Sequence, residues 1–383
     1  MRAFYNPLLL LFVLCCAWGC RGEYEIIPSD SITTQVFQYD DIQNSKIRGF
    51  YLLCEGNMGS NRASLDFMDL HRGIYHRNIY AEKNPEVVKE LGDVGNDIQV
   101  YGTKAYAVIN VSNYIEVMDA KTGVHLGEIK IPNVRYIRFK DGYAYASSYV
   151  APVQFDQNAR PGYVVKIDTL TLEKKDSCIV GFQPEELDFY EDKLYVANSG
   201  GYMFPNYDRT VSVIDLNTFK EIKKIDVAIN LHRLRTTKYG EIIVSSRGDY
   251  YDVPSALYFI DPKKDVVTDR LDLPVSNFDI VGDSAYLYAV SYSKKSDKNR
   301  ISYAIFNIRT HKLVTENFIT DGTEKDIEIP YGIKVHPDTK DIFITDAKDY
   351  VSPGTLLCYS PQGKLKWKVF TGDIPGHFAF VYK

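Results

Sequence analysis

Residues Leu194 to Val227 read LYVANSGGYMFPNYDRTVSVIDLNTFKEIKKIDV. Three runs rich in β-branched and aromatic residues, LYVANS, TVSVIDL and EIKKIDV, are separated by Gly, Pro, Asn and Asp, the composition of strands and turns. The middle run ends at Asp215 and passes into the polar turn Leu216-Asn217-Thr218.

This unit recurs. An apolar alternating run followed by Asp ends at Asp69, Asp119, Asp168, Asp215 and Asp261, with degenerate copies at Asn307 and Ser360. The differences between those positions are 50, 49, 47, 46, 46 and 53 residues. Each copy has an upstream strand (YLLCEGN, AYAVIN, YAYASS, LYVANS, EIIVSS, YLYAVS, DIFITD), and most have a further short run before it. A period near 50 marks a propeller. The sequence therefore predicts an all-β, seven-bladed β-propeller with four antiparallel strands per blade. A β-sandwich would not keep one period, and β-helix coils are much shorter. The final run, Gly376-His377-Phe378-Ala379-Phe380-Val381, has no strand after it, and the blade opening at Gly49-Phe50-Tyr51 has no innermost strand before it. The C-terminal strand is thus expected to close the first blade and remove open sheet edges.

Residues 1–20 read as a lipoprotein signal peptide. Arg2 is the basic lead, Leu8 to Trp18 is apolar but too short to span a bilayer, and Gly19 precedes Cys20 as in a lipobox, making Cys20 the expected lipidation site. Residues 21–48 read as tether and lead-in, and 49–383 as the propeller. A helical fragment is expected over 84–91, with Asn84 as its cap and Pro85 in its first turn. The formal net charge of −5 gives no basic footprint for nucleic acid. Cys54, Cys178 and Cys358 fall in strands of different blades and read as buried free thiols.

Propeller topology puts two sets of loops on one face. The loops within blades are long and carry Tyr114, Tyr149, Phe155, Tyr202, Phe204, Tyr207, Tyr250, Tyr251, Tyr292 and Tyr350, whereas the opposite turns (AKTG, LNT, PQG) are short and plain. Connections between blades bring polar residues to the channel mouth at equivalent positions: Asn96-Asp97, Arg135-Tyr136, Glu185-Glu186, His232-Arg233, Ser276-Asn277, Tyr331 and His377. Buried polar groups often serve only to bond neighbouring loops, but seven converging positions beside many tyrosines suit a ligand site. No P-loop, GxSxG elbow, HExxH, CxxC or EF-hand loop is present, so no catalytic residues, metal or resident cofactor are expected. His71, His76, His125, His311 and His336 read as surface or turn residues, and the basic run 294–300 as a solvated loop tip.

The blade unit Leu-Tyr-Val-Ala-Asn followed by Val-Ser-Val-Ile-Asp resembles the YncE-like propeller family. The opening Cys54-Glu55-Gly56-Asn57-Met58-Gly59-Ser60-Asn61, followed by Ala63-Ser64-Leu65, resembles the start of a Bacteroidota propeller lipoprotein group that includes the cobalamin-capturing BtuG proteins. That resemblance implies a non-enzymatic protein lipid-anchored at the outer-membrane surface. It would capture cobalamin (vitamin B12) or a related corrinoid and pass it to a TonB-dependent transporter, and Asn57 joins the candidate contacts. The alternatives are a propeller that binds a glycan or a partner protein, or a propeller lyase or oxidoreductase using His232, His377 and Glu186.

Overall fold

The computed structural model describes residues 31–38, 45–87, 91–150, 153–293 and 298–383. Cys20, the apolar leader and most of the 21–48 segment lie outside them, as do 294–297. The described residues form seven antiparallel sheets, six of four strands and one of five. Blades 2 to 7 run from the channel outward in chain order and span 95–130, 134–179, 184–226, 231–271, 277–315 and 330–373. In blade 1 the innermost strand is the C-terminal Pro375–Tyr382, paired antiparallel with Ile47–Cys54 from Ile47↔Tyr382 to Cys54↔Pro375. Both ends of the chain thus close one sheet, as expected. Blade 1 also gains an unforeseen fifth strand, Ile32–Gln35, laid along its outer strand Ile74–Arg77.

The recurring Asp has a local physical cause. Its Oδ1 accepts the N–H groups two and three residues on, as in Asp215 with Asn217 (2.9 Å) and Thr218 (2.8 Å). The same pair of bonds forms at Asp69, Asp119 and Asp168. Asn307 makes it with an amide oxygen, and Asp261 and Ser360 make partial versions. This Asx turn reverses the chain between the third and fourth strands of each blade.

The core lies between blades. Seven buried apolar clusters are present among the described residues, one at each blade–blade interface. Strand alternation feeds both sides: Leu194 and Val196 enter the cluster with blade 3, and Tyr195 and Ala197 that with blade 5. Because both faces are covered, the second strands read as nearly continuous apolar runs. Cys54, Cys178 and Cys358 are buried and free.

The helix is displaced from its expected place. It spans Ile79–Lys83, and Asn84 ends it. The Asn84 side chain is drawn into tertiary bonds, donating to Tyr80 O and Gly123 O (2.9 Å each) and accepting from His125 N (2.7 Å). These bonds preclude the capping role; residues 88–90 lie outside the described set.

Phe50 is fully buried where blades 1 and 7 meet, with its ring 4.8 Å from Phe343 and 5.4 Å from Phe378. Phe50→Ala is expected to lower unfolding stability by about 3–5 kcal/mol, read from the urea midpoint. Deleting residues 375–383, which bares the inner edge of Ile47–Cys54, is expected to abolish the cooperative thermal transition altogether.

Candidate functional site

The inner strands carry an irregularity at their mouth-side ends. In blade 4, Pro184 pairs with Asn198 and Leu187 with Val196, so Glu185 and Glu186 together oppose Ala197. The same register shift occurs in blades 1, 2, 3, 5 and 7, and blade 6 alone is regular. Each shift is a β-bulge, which bends a strand and re-aims its side chains. The bulges fall on the expected mouth positions: Asn96, Arg135-Tyr136, Glu185-Glu186, His232-Arg233, Tyr331 and Gly376, beside His377. In three blades the facing hydroxyl satisfies the freed N–H: Ser147 accepts from Tyr136 (3.2 Å), Ser245 from Arg233 (3.0 Å) and Thr345 from Gly332 (2.7 Å).

Below the bulges runs a ladder of carboxylates. Asp97 accepts Ile137 N (3.1 Å) and Arg138 Nη1 (2.8 Å) from the next blade. Glu186 accepts Leu234 N (2.9 Å) and Arg235, and Asp279 accepts Val335 N and Lys334 Nζ (2.9 Å each). Blades 2 and 3, 4 and 5, and 6 and 7 are clipped together in this way. Glu186 also meets Arg233 at 2.9 Å and Arg138 at 3.6 Å.

Glu185 sits higher and is enclosed by Arg135 (3.2 Å), Arg247 (3.1 Å) and the Tyr149 hydroxyl (2.5 Å). Burial alone would raise its carboxyl, but Arg135 and Arg247 outweigh that and hold it below its ordinary value. Asp97 is likewise lowered, with Arg138 and His377 overcoming burial. His232 bonds Tyr136 OH through Nε2 at 3.0 Å. Burial, reinforced by Arg247, Arg233 and Arg135, holds it well below its usual value. His232 is therefore a neutral imidazole at neutral pH.

Aromatic side chains cover this floor on the mouth side. Phe155 (61% exposed), Tyr202, Phe204, Tyr250 and Tyr251 (68% each) stand out from blades 3 to 5. Phe204 lies 6.0 Å from Tyr207 and 6.1 Å from Tyr251, centroid to centroid. Asp156 N donates to Tyr202 O (3.0 Å), which ties two of the loops together. On the far side Tyr331 meets Tyr350 at 5.9 Å and donates to Glu55 (2.7 Å), which also holds His377 (2.9 Å). Asn57 donates to Tyr350 O. Between the two groups lies an open cavity of ≈ 250 Å³ bounded by His232, Arg233, Arg247, Tyr250, Tyr288, Tyr331 and Tyr350.

Several expected residues stand apart from this cavity. Tyr149 is buried in the Glu185 cage. Tyr114 donates to Leu91 O (2.5 Å) and packs against the cluster between blades 1 and 2. Asn96 donates to Arg135 O (2.6 Å). Asn277 accepts Phe278 N (2.9 Å) and lines the channel lower down. Tyr292 pairs with Asn299 in the blade 6 hairpin, and its side chain lies outside the described part. Two histidines read as surface or turn residues do stand at turns but are held by neighbouring side chains or backbone. His336 is 1% exposed, its Nδ1 accepting the N–H groups of Asp338 and Thr339 (3.2 Å each). His311 stacks on Phe259 at 3.7 Å between Asp269 and Glu241.

Arg138, Arg235, Lys334, Asp279, Arg247 and Glu55 were not anticipated as site residues. A signal for three of them is present: Arg138, Arg235 and Lys334 each follow a mouth residue, Arg135, His232 or Tyr331, by three positions. Among the described residues no cluster of three His, Cys, Asp or Glu could hold a metal ion, and no helix is long and apolar enough to cross a membrane.

A family described as a domain of unknown function, DUF5074, matches residues 48–355. The chain belongs to the DUF5074 family. No curated protein matches the sequence. Among solved structures, this DUF5074 chain is similar to a hypothetical selenium-binding protein from Sulfolobus tokodaii, at 12% identity and TM-score 0.61 over 87% of this chain and 93% of that one. It is similar to hydrazine synthase from Kuenenia stuttgartiensis at 13% identity and TM-score 0.59, covering 74% and 88% of the two chains. A quinonprotein alcohol dehydrogenase-like protein from Bacteroides thetaiotaomicron follows at 14% identity and TM-score 0.55, covering 88% and 79%. At such identities the likeness concerns the fold alone.

Glu185→Gln leaves Arg135 and Arg247 buried without their carboxylate and is expected to cost about 3–5 kcal/mol at pH 7. A lowered native pKa stabilises the fold above the ordinary carboxylate range, and that contribution is lost as pH falls through the native value. The gap between variant and wild type, followed by denaturant titration from pH 7 to pH 3, should therefore narrow with acid.

Proposed function

We propose that this DUF5074 propeller is a non-enzymatic capture protein, YncE-like in type and akin to the BtuG group, that binds cobalamin or a related corrinoid at its mouth. One observation carries this reading: six of the nine exposed tyrosines and phenylalanines among the described residues stand at one face, above a floor whose charges are mostly paired internally. A corrinoid is broad, partly apolar and rimmed by neutral amides. Flat aromatic area suits its body, and tyrosine hydroxyls suit its edge. The cavity of ≈ 250 Å³ falls below the ~300–1,000 Å³ of pockets that enclose drug-sized ligands. A corrinoid would lie across the mouth, with the open face free to release it to a TonB-dependent transporter. In this reading Cys20 carries the lipid and the protein sits on the outer membrane, with no resident cofactor.

Calorimetric titration with cyanocobalamin and cobinamide should give saturable binding, and Tyr250→Ala and Tyr251→Ala should each weaken it about tenfold, or about 1.4 kcal/mol. Absence of heat with both corrinoids, alongside a positive glycan array, would turn the same aromatic face over to sugar recognition. Cys20→Ala should move the protein from the membrane fraction to the soluble fraction; retention in the membrane would remove the lipid anchor from the proposal.

A further inference from the structure

Beneath the mouth, the channel encloses a second, strongly polar cavity of ≈ 150 Å³. Its wall includes the cations Arg138, Arg233, Arg235 and Lys334 but only three carboxylates, Asp97, Glu186 and Asp279. Asp97 is matched to Arg138 and Asp279 to Lys334. Glu186 is left to serve both Arg233 and Arg235, so the wall carries one cation in excess.

Arg233 is where the excess concentrates. It is 8% exposed and forms part of the wall of both this cavity and the mouth cavity. Its side-chain hydrogen bonds, to Glu186 (2.9 Å) and the Tyr136 hydroxyl (3.3 Å), are both made by Nη1. Nε is buried with no partner. Nε and the adjacent Nη2 form the guanidinium edge that grips an oxyanion through two parallel bonds. A buried donor left without an acceptor costs roughly 1–3 kcal/mol, so this edge calls for a ligand.

Two neighbouring groups register the same field. Burial and the nearby Arg138 push Arg235 down to about 10, and His232 is depressed by burial and three surrounding arginines. Asp188 is not part of this wall; its carboxylate accepts Thr236 N (2.7 Å), and burial raises its carboxyl.

We propose that the channel of this protein is a binding site for a small oxyanion (phosphate, sulfate or a short carboxylate), held on the Nε edge of Arg233 between the mouth and the carboxylate ladder. The cavity has room for such an ion and is far too small for a corrin ring or an oligosaccharide, so the site is distinct from the one proposed at the mouth.

The test uses the purified protein in a buffer of constant ionic strength whose bulky anion cannot enter the channel. Phosphate, sulfate and acetate are titrated separately, with melting temperature and calorimetric heat as readouts, and crystals are soaked in selenate. At least one anion should raise the melting temperature saturably, and a selenium anomalous peak should appear in the channel within hydrogen-bond distance of Arg233. Arg233→Gln should weaken anion binding at least tenfold. Should that variant fail to fold, Lys334→Gln, which lowers the same field, should weaken it several-fold. No saturable shift with any of the three anions, selenate peaks on the outer surface only (an adventitious ion only), or unchanged affinity in a folded Arg233→Gln would each overturn the proposal. Anion binding without corrinoid binding would leave it standing and remove only the reading of the mouth.

Discussion

Each blade presents the unpaired edge of its innermost strand to the channel, and those edges belong to different sheets that cannot pair with one another. An exposed or buried strand edge leaves N–H donors without acceptors. At three of the seven junctions the acceptor is a carboxylate borrowed from the blade before: Asp97 for Ile137, Glu186 for Leu234 and Asp279 for Val335. A cation adjacent in sequence to the N–H donor, Arg138, Arg235 or Lys334, neutralises the carboxylate it reaches. The ring is therefore held near its axis by charged hydrogen bonds at three junctions and at its flanks by seven apolar clusters. Apolar packing alone would let neighbouring blades slide; the directional bonds fix their register.

The bulges follow from this need. A regular strand would alternate its side chains between the two blade interfaces. Inserting one residue near the mouth brings His232 with Arg233, or Tyr331, to the channel wall, while the flanking Leu231, Leu234 and Ile333 remain in the core. The hydroxyls of Ser147 and Thr345 serve twice. Ser147 accepts from Tyr136 N and donates to Glu185 O (2.8 Å), and Thr345 accepts from Gly332 N and donates to Pro375 O (2.5 Å). At the seam between blades 7 and 1 only glycine fits, since a Cβ on Gly332 would stand 2.7 Å from Gly376 O. Blade 6, without a bulge, breaks the ring's regularity beside the mouth cavity.

Most of the architecture was legible because its cause is local. The Asp of each copy makes its turn with its own next few N–H groups, so the signal repeats at Asp69, Asp119, Asp168 and Asp215 regardless of the rest of the fold. The closure of blade 1 was legible from an unmatched strand at each end. The mouth positions were visible as polar pairs at one register, yet their chemistry was not: whether Glu185 meets Arg247, 62 residues later, depends on how far the next blade is rotated. Asn84 was misread for the same reason: it looks like a cap residue in isolation and is claimed by Gly123 and His125, which the chain brings in from elsewhere. His336 does make its turn, with Asp338 and Thr339, but the turn is buried.

The fifth strand of blade 1 has a mechanical corollary. Ile32 lies opposite Arg77 and Gln35 opposite Ile74, and Arg77 is the end of its strand nearest the aromatic face. The chain thus comes onto the disc from the rim of that face and not from beneath. If Cys20 carries the lipid, the 12 residues from it to Ile32 are a leash of at most about 40 Å. A lipid at Cys20 would then tether the disc by its aromatic side, within the reach of that leash.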